Sequence, residues 1–353
     1  MSHPPIKASD AVNNLVPYQS ARALNAFNPS NTYIDANEMP DAPDLSSVDL
    51  GSIHHYADEQ CRQLTDAYAK FANLSPECVI AGRGIDEIID LAVRAYCEPH
   101  KDEILVMPPT YDVYRFTADT HRCGVVEIPL TLEGQMDLDA IANLDPLPRV
   151  IFVCRPNNPL GSIHAAEDVS RLLELAAGKS LVALDEAYIE FCEEESLAPL
   201  IAEHSNLIVM RTLSKAFGLA GLHVGFGLAQ PGIIETLNKL INPYPIPDPC
   251  ARLAIEALSP AGVDRMRASV DRVVQTRRAF ENALRVSPKC TKIMPSRTNF
   301  VLAAFEDAGQ IMTELSERNI IARRFLKPAT GDQWIRFSIG APEVMDEIAA
   351  ALA

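Results

Sequence analysis

Lys215 sits in Thr212-Leu213-Ser214-Lys215-Ala216-Phe217-Gly218, and upstream an apolar run ends in Asp185-Glu186-Ala187-Tyr188. A lysine between a hydroxyl residue and a small-residue turn can form a Schiff base with an aldehyde, and then shuttle a proton once a substrate amine has displaced it. An aspartate at the carboxyl end of a strand can keep a pyridine nitrogen protonated, so that the ring accepts electrons. Each residue alone is equally an ordinary cap acid or an exposed loop lysine. Together they point to pyridoxal 5'-phosphate.

The elements that must position this pair are readable. Val150 to Cys154 is a buried strand that stops at Arg155-Pro156-Asn157-Asn158-Pro159-Leu160-Gly161, which cannot continue it. Asn158 is thereby exposed at a strand's carboxyl end, where open parallel sheets bind ligands. It is placed to donate to a ring oxygen, as Tyr188 is from the strand of Asp185. Upstream, Cys78 to Ile80 leads into Gly82-Arg83-Gly84-Ile85-Asp86, and an amphipathic helix is expected over Glu87 to Cys97. Backbone amides at Gly84, Ile85 and Asp86 could cradle a phosphate, although a plain glycine turn capped by Asp86 fits as well.

Those residues carry a resemblance. The chain resembles the aspartate-aminotransferase-like pyridoxal-phosphate enzymes, and within them the histidinol-phosphate aminotransferase family, over nearly its whole length. The matching segments include Leu15 to Arg22, Ala36-Asn37-Glu38, Arg83-Gly84, Asp86-Glu87, Pro108 to Tyr111, Pro156 to Pro159, Asp185 to Phe191, Arg211 to Phe217, and Asn242 to Pro245. The resemblance implies roles. Tyr111 would stack on the cofactor ring, Ser214 would bond its phosphate, and Tyr56 would reach that phosphate from the neighbouring subunit of a homodimer. Asn37 would belong to the substrate site. Tyr18, Arg323 and Arg336 would hold the phosphate of histidinol phosphate in one half-reaction and the carboxylates of glutamate or 2-oxoglutarate in the other. The implied activity is ping-pong transamination in histidine biosynthesis. An aromatic or other amino-acid aminotransferase, a phosphothreonine-type decarboxylase and a non-catalytic pyridoxal-phosphate regulator are the alternatives.

Two positions depart from the family. His223, in Gly221-Leu222-His223-Val224, stands where an arginine usually grips the cofactor phosphate, and brings one donor where a guanidinium brings five. Leu160 replaces a threonine after Asn-Asn-Pro and removes a hydroxyl expected beside the ring.

The wider pattern is α/β. Strands are expected at Ile104 to Met107, Val125 to Pro129, Val150 to Cys154, Leu181 to Asp185, Leu207 to Arg211 and Val224 to Leu228, alternating with helices. This predicts a large domain with a mostly parallel seven-stranded sheet sandwiched by helices. The expected divisions are an N-terminal arm over residues 1–30, a large pyridoxal-phosphate domain over 31–245, and a small α+β domain over 246–353. In the last, helices Cys250 to Leu258 and Val263 to Leu284 precede strands Asn299 to Ala304, Ile320 to Arg323 and Trp334 to Ile339. Arg265, Arg267, Arg272, Arg277 and Arg278 read as a solvated helix face.

With 47 acidic against 31 basic residues, net −16, neither nucleic acid nor an anionic membrane is an expected partner, so an anion pocket must be a local basic island. The eight cysteines have no metal-type spacing and read as reduced thiols; no metal is expected. Met1 to Asp10 has no apolar run, and nothing approaches membrane-span length. A cytoplasmic enzyme is expected.

Overall fold

The computed structural model describes residues 10–20, 28–50, 54–56, 61–131, 133–326 and 333–353. Twelve strands among them form two sheets: β1 (Thr32–Ile34), β2 (Val79–Arg83), β3 (Glu103–Val106), β4 (Gly124–Glu127), β5 (Val150–Cys154), β6 (Leu181–Asp185), β7 (Leu207–Thr212), β8 (Val224–Ala229), β9 (Cys290–Ile293), β10 (Phe300–Phe305), β11 (Ile320–Leu326) and β12 (Gln333–Ser338).

The larger sheet has the order β2-β8-β7-β6-β5-β3-β4. β7, β6, β5, β3 and β4 run parallel, and β8 runs antiparallel to both β7 and β2. β5, β6, β7 and β8 are buried at every residue. Apart from Asp185, Arg211 and Thr212 at their carboxyl ends, these strands carry no polar side chain, because helices cover both faces of the sheet. The pairing register sets Cys154 beside Asp185, and Asp185 beside Met210, so the loops after β5, β6 and β7 leave one edge together. β2 ends at that same edge and runs straight into the helix Gly84–Tyr96. That helix packs on β8 at very short range: a Cβ on Gly225 would lie 2.3 Å from the carbonyl carbon of Gly84, so only glycine permits the contact.

The second sheet has the order β1-β11-β12-β10-β9, with the helices Pro260–Val286 and Ala308–Glu317 against it and the helix Pro342–Leu352 packed on those two. Two expectations change here. Thr32–Ile34, assigned from sequence to the large domain, is the edge strand of the C-terminal sheet, paired in parallel with Ile320–Ala322. The helix Asp248–Ala257, assigned to the small domain, packs against the helix Arg62–Ala72 and β8 as well as against Pro260–Val286. Arg277 also departs from the solvated face expected of its helix. It is buried, and its guanidinium donates to the Thr298 carbonyl at the base of β10.

Candidate active site

The strand ends open onto a cavity of about 430 Å³ lined by both sheets. Fourteen of the residues singled out from sequence line it: Tyr18, Asn37, Gly84, Ile85, Asp86, Tyr111, Asn158, Asp185, Tyr188, Ser214, Lys215, His223, Arg323 and Arg336. Tyr56 does not. It is 82% exposed and stacks on Tyr244, ring centroids 4.6 Å apart.

Asp185 ends β6 with both oxygens engaged. Oδ1 accepts from the Ala187 amide at 2.9 Å and Oδ2 from the Tyr114 hydroxyl at 2.5 Å. Burial pushes its carboxyl up to about 6, against the pull of those two donors. Tyr114 was not anticipated. It is fully buried, stacked on Phe152 of β5, and lies three residues beyond Tyr111 at the start of the helix Val113–His121.

Beyond β7 the chain doubles back. The Thr212 hydroxyl donates to the Val224 carbonyl and accepts from the Ser214 amide, while the amides of Leu213 and Gly218 close onto Val224 and Lys215 carbonyls. Gly218 takes the left-handed conformation at φ 67°, with the Asp41 carbonyl against it. This tight loop projects Lys215, whose Nζ donates to the Ala36 carbonyl at 3.0 Å and lies 5.8 Å from the Tyr188 ring centre. Desolvation, helped by the Arg336 charge, lowers its ammonium to about 8, while Glu38, Asp86 and Asp185 oppose the shift. The ammonium still predominates at neutral pH, but the unprotonated amine, the state that attacks carbonyls, is far more abundant than at an ordinary lysine.

After β5, Asn157 braces the turn. Its side chain donates to the Pro109 carbonyl and accepts from the Leu160 amide. Asn158 is left facing the cavity, where its Oδ1 accepts from Arg336 Nη1 at 2.6 Å. Its amide NH2 is the part that remains to donate. Leu160 lies outside the cavity, buried with Met294, Leu302 and Trp334 of the second sheet; at this position an apolar side chain joins the two sheets.

At the start of the helix Gly84–Tyr96, Glu87 reaches back to the Arg83 amide and guanidinium. The amides of the first turn are left without intrahelical acceptors, at the positive end of the helix dipole. Asp86 Oδ1 accepts from the Tyr111 hydroxyl, and Oδ2 lies 3.9 Å from His223 Nε2. His223, itself left-handed at φ 53°, lays its ring against Gly84, where an added Cβ would come within 2.8 Å of it.

The opposite wall is cationic. Arg336 is on β12, the middle strand of its sheet, and not on an edge; its Nη2 donates to the Asp35 carbonyl, and burial lowers its guanidinium's proton affinity. Arg336 Nε and Arg323 Nη1 are buried without a partner. Tyr18 packs edge-on to Tyr111 beside them. Asn37, left-handed at φ 55°, is held by Ser338 and Asn299 and donates to the Tyr188 hydroxyl at 3.0 Å.

Residues 29–352 match the family model for class I and II aminotransferases. The chain belongs to that family. This aminotransferase is 39% identical to the histidinol-phosphate aminotransferase of Aeromonas hydrophila over 345 residues, covering 98% of this chain and 96% of that protein. It is 40% identical to the enzyme of that name from Pectobacterium carotovorum, covering 97% and 95%. Among solved structures, the histidinol-phosphate aminotransferase of Sinorhizobium meliloti in complex with pyridoxal-5'-phosphate superposes with a TM-score of 0.85 at 25% identity, covering 98% and 96%. The Clostridium acetobutylicum enzyme superposes at 0.83 with 23% identity, covering 91% and 97%. Among the described residues of the aminotransferase no helix is long and apolar enough to cross a membrane, and no cluster of His, Cys, Asp and Glu is placed to hold a metal ion.

Proposed function

We propose that the aminotransferase moves an amino group between L-histidinol phosphate and 2-oxoglutarate with pyridoxal phosphate, using one cavity for both half-reactions. The observation that carries this reading is the pair of buried, unpartnered arginine N–H groups, Arg323 Nη1 and Arg336 Nε, in the cavity that holds Lys215. Buried cationic donors without partners are costly and call for an anion. Histidinol phosphate has no carboxylate, so the same groups would take its phosphate in one half-reaction and a carboxylate of glutamate or 2-oxoglutarate in the other.

The donors present fit the cofactor. When bound, pyridoxal phosphate supplies an aldehyde that condenses with amines and a ring that accepts electron density. Asp185 would hold the proton on the ring nitrogen, and Tyr111 would cover the ring. Asn158 and Tyr188 would donate to its oxygen. The amides of Gly84, Ile85 and Asp86, with Ser214 and His223, would take the phosphate. Lys215 Nζ would bind the aldehyde and later accept and return the substrate's α proton. Tyr56, exposed and not among the residues lining its own cavity, is proposed to complete the phosphate site of a second copy in a homodimer. Mixing Tyr56→Phe with Lys215→Ala should then restore some sites with all native residues; an active monomer would sink that assembly.

The substrate is tested by glutamate formation from 2-oxoglutarate with histidinol phosphate, phenylalanine or O-phosphothreonine as donor, with released carbon dioxide measured alongside. Histidinol phosphate should be the efficient donor, without carbon dioxide. Preference for phenylalanine, or decarboxylation of phosphothreonine, would overturn the assignment.

A further inference from the structure

Tyr114 has no place in the site assembled above except through Asp185. It is fully buried, its ring lies 4.6 Å from that of Phe152 and nearly parallel, and Tyr111 packs edge-on to it at 5.6 Å. These contacts fix the direction of its hydroxyl, which points at Asp185 Oδ2 at 2.5 Å. Burial and the neighbouring carboxylate raise the phenol's proton affinity well above the ordinary, so it stays a donor.

We propose that Tyr114 is a positioning residue for the cofactor's ring nitrogen: its hydroxyl fixes the rotamer of Asp185 and keeps that carboxylate in the charged form that a protonated pyridine requires. The proposal rests on the assignment of Asp185 to the ring nitrogen. Other groups also face Asp185. Asp86, from the helix Gly84–Tyr96, and Glu186, next in sequence, disfavour its charge; Cys154 of β5 lies against both it and Tyr114, and Tyr188 and Lys215 complete the surroundings. None of these replaces a lost donor at Oδ2. Of the two donors that oppose the effect of burial, the hydroxyl is the one a substitution can remove.

Without that hydroxyl the carboxyl's pKa rises above its present value of about 6, and more of it is protonated near neutrality. A neutral acid does not hold a pyridinium, so cofactor binding should begin to weaken at a higher pH on acidification than in the native protein.

The experiment is equilibrium binding of pyridoxal phosphate to apoprotein across pH for wild type, Tyr114→Phe and Asp185→Asn, with nitrogen-15 in the cofactor ring reporting its protonation. Phenylalanine keeps the stack on Phe152, and thermal unfolding checks the fold. Tyr114→Phe should lose about tenfold in affinity at neutral pH, move the acid limb to higher pH, and shift the ring nitrogen toward its unprotonated signal. Fluorotyrosine at position 114, a stronger donor of nearly the same shape, should move the limb the other way and serves if the phenylalanine variant does not fold. Native profiles and nitrogen signals in both variants, with both lost in Asp185→Asn, overturn the role of Tyr114 alone. Native behaviour of Asp185→Asn overturns the assignment of Asp185 itself.

Discussion

At one end of the cavity both oxygens of Asp185 are met by protein donors; at the other, Arg336 Nε and Arg323 Nη1 are buried and meet none. The same low-dielectric interior surrounds a finished charge and an unfinished one. Donors fixed around a carboxylate cost nothing to reorganise, which suits a group that holds one cofactor through every turnover. The unpartnered N–H of each guanidinium retains its desolvation cost until an anion arrives, which suits the role proposed for this wall, taking and releasing different anions. Lys215 lies between, its ammonium weakened by desolvation and by Arg336.

The largest test of this contrast is Lys215→Ala. It removes the only group at the junction expected to bind the aldehyde, so turnover should fall below detection while thermal unfolding shows a folded protein. In the native apoprotein, cofactor capture should quicken as pH rises through about 8, because the ammonium must lose its proton before attacking. A variant that still reacts covalently with the cofactor would place the nucleophile elsewhere.

Arg323→Ala probes the unfinished end and should cost less. Loss of a charge-assisted contact to phosphate is on the order of 1.5–3 kcal/mol in transition-state binding. The fall in kcat/KM should be larger for histidinol phosphate than for an unphosphorylated aromatic amine. Equal losses on both would make Arg323 a structural partner of the Gln19 carbonyl, to which its Nη2 already donates.

The two ends were not equally legible in the sequence. Around Asp185 the signals were local: continuous apolar runs stop at Pro-Asn-Asn-Pro, at Asp-Glu-Ala-Tyr and at Ser-Lys, and parallel pairing brings those stops to one edge. The arginine end depends on pairing between distant segments. Thr32–Ile34 has strand-forming residues but is only three residues long, and it finds its partner at Ile320–Ala322, so its membership of the second sheet could not be read locally. Tyr114 was hidden for a different reason: a tyrosine on an amphipathic helix reads as core, and its spacing from Tyr111 gained meaning only once Asp185 was placed beside it. Leu160 was legible as a departure, but its burial against Trp334 and Met294 follows from the approach of the two sheets.

The smallest expected effect separates the Asp185 end from the phosphate cradle beside it. His223 holds its ring against Gly84 and near Asp86, at the start of the helix whose free amides would receive the cofactor phosphate. Its side chain is more than half exposed, which limits what any charge there contributes. An imidazole brings one donor at this position, whereas a guanidinium brings a permanent charge and five. His223→Arg should therefore tighten cofactor binding by about threefold near neutrality. The left-handed backbone at this position favours histidine over arginine, so the substitution should also lower stability slightly. Cofactor dissociation measured in both proteins at neutral pH decides the point: the variant should release the cofactor more slowly. Equal affinities would mean that the ring points away from the phosphate, leaving the helix amides, Ser214 and the Tyr56 proposed to come from a second copy as that end's grip.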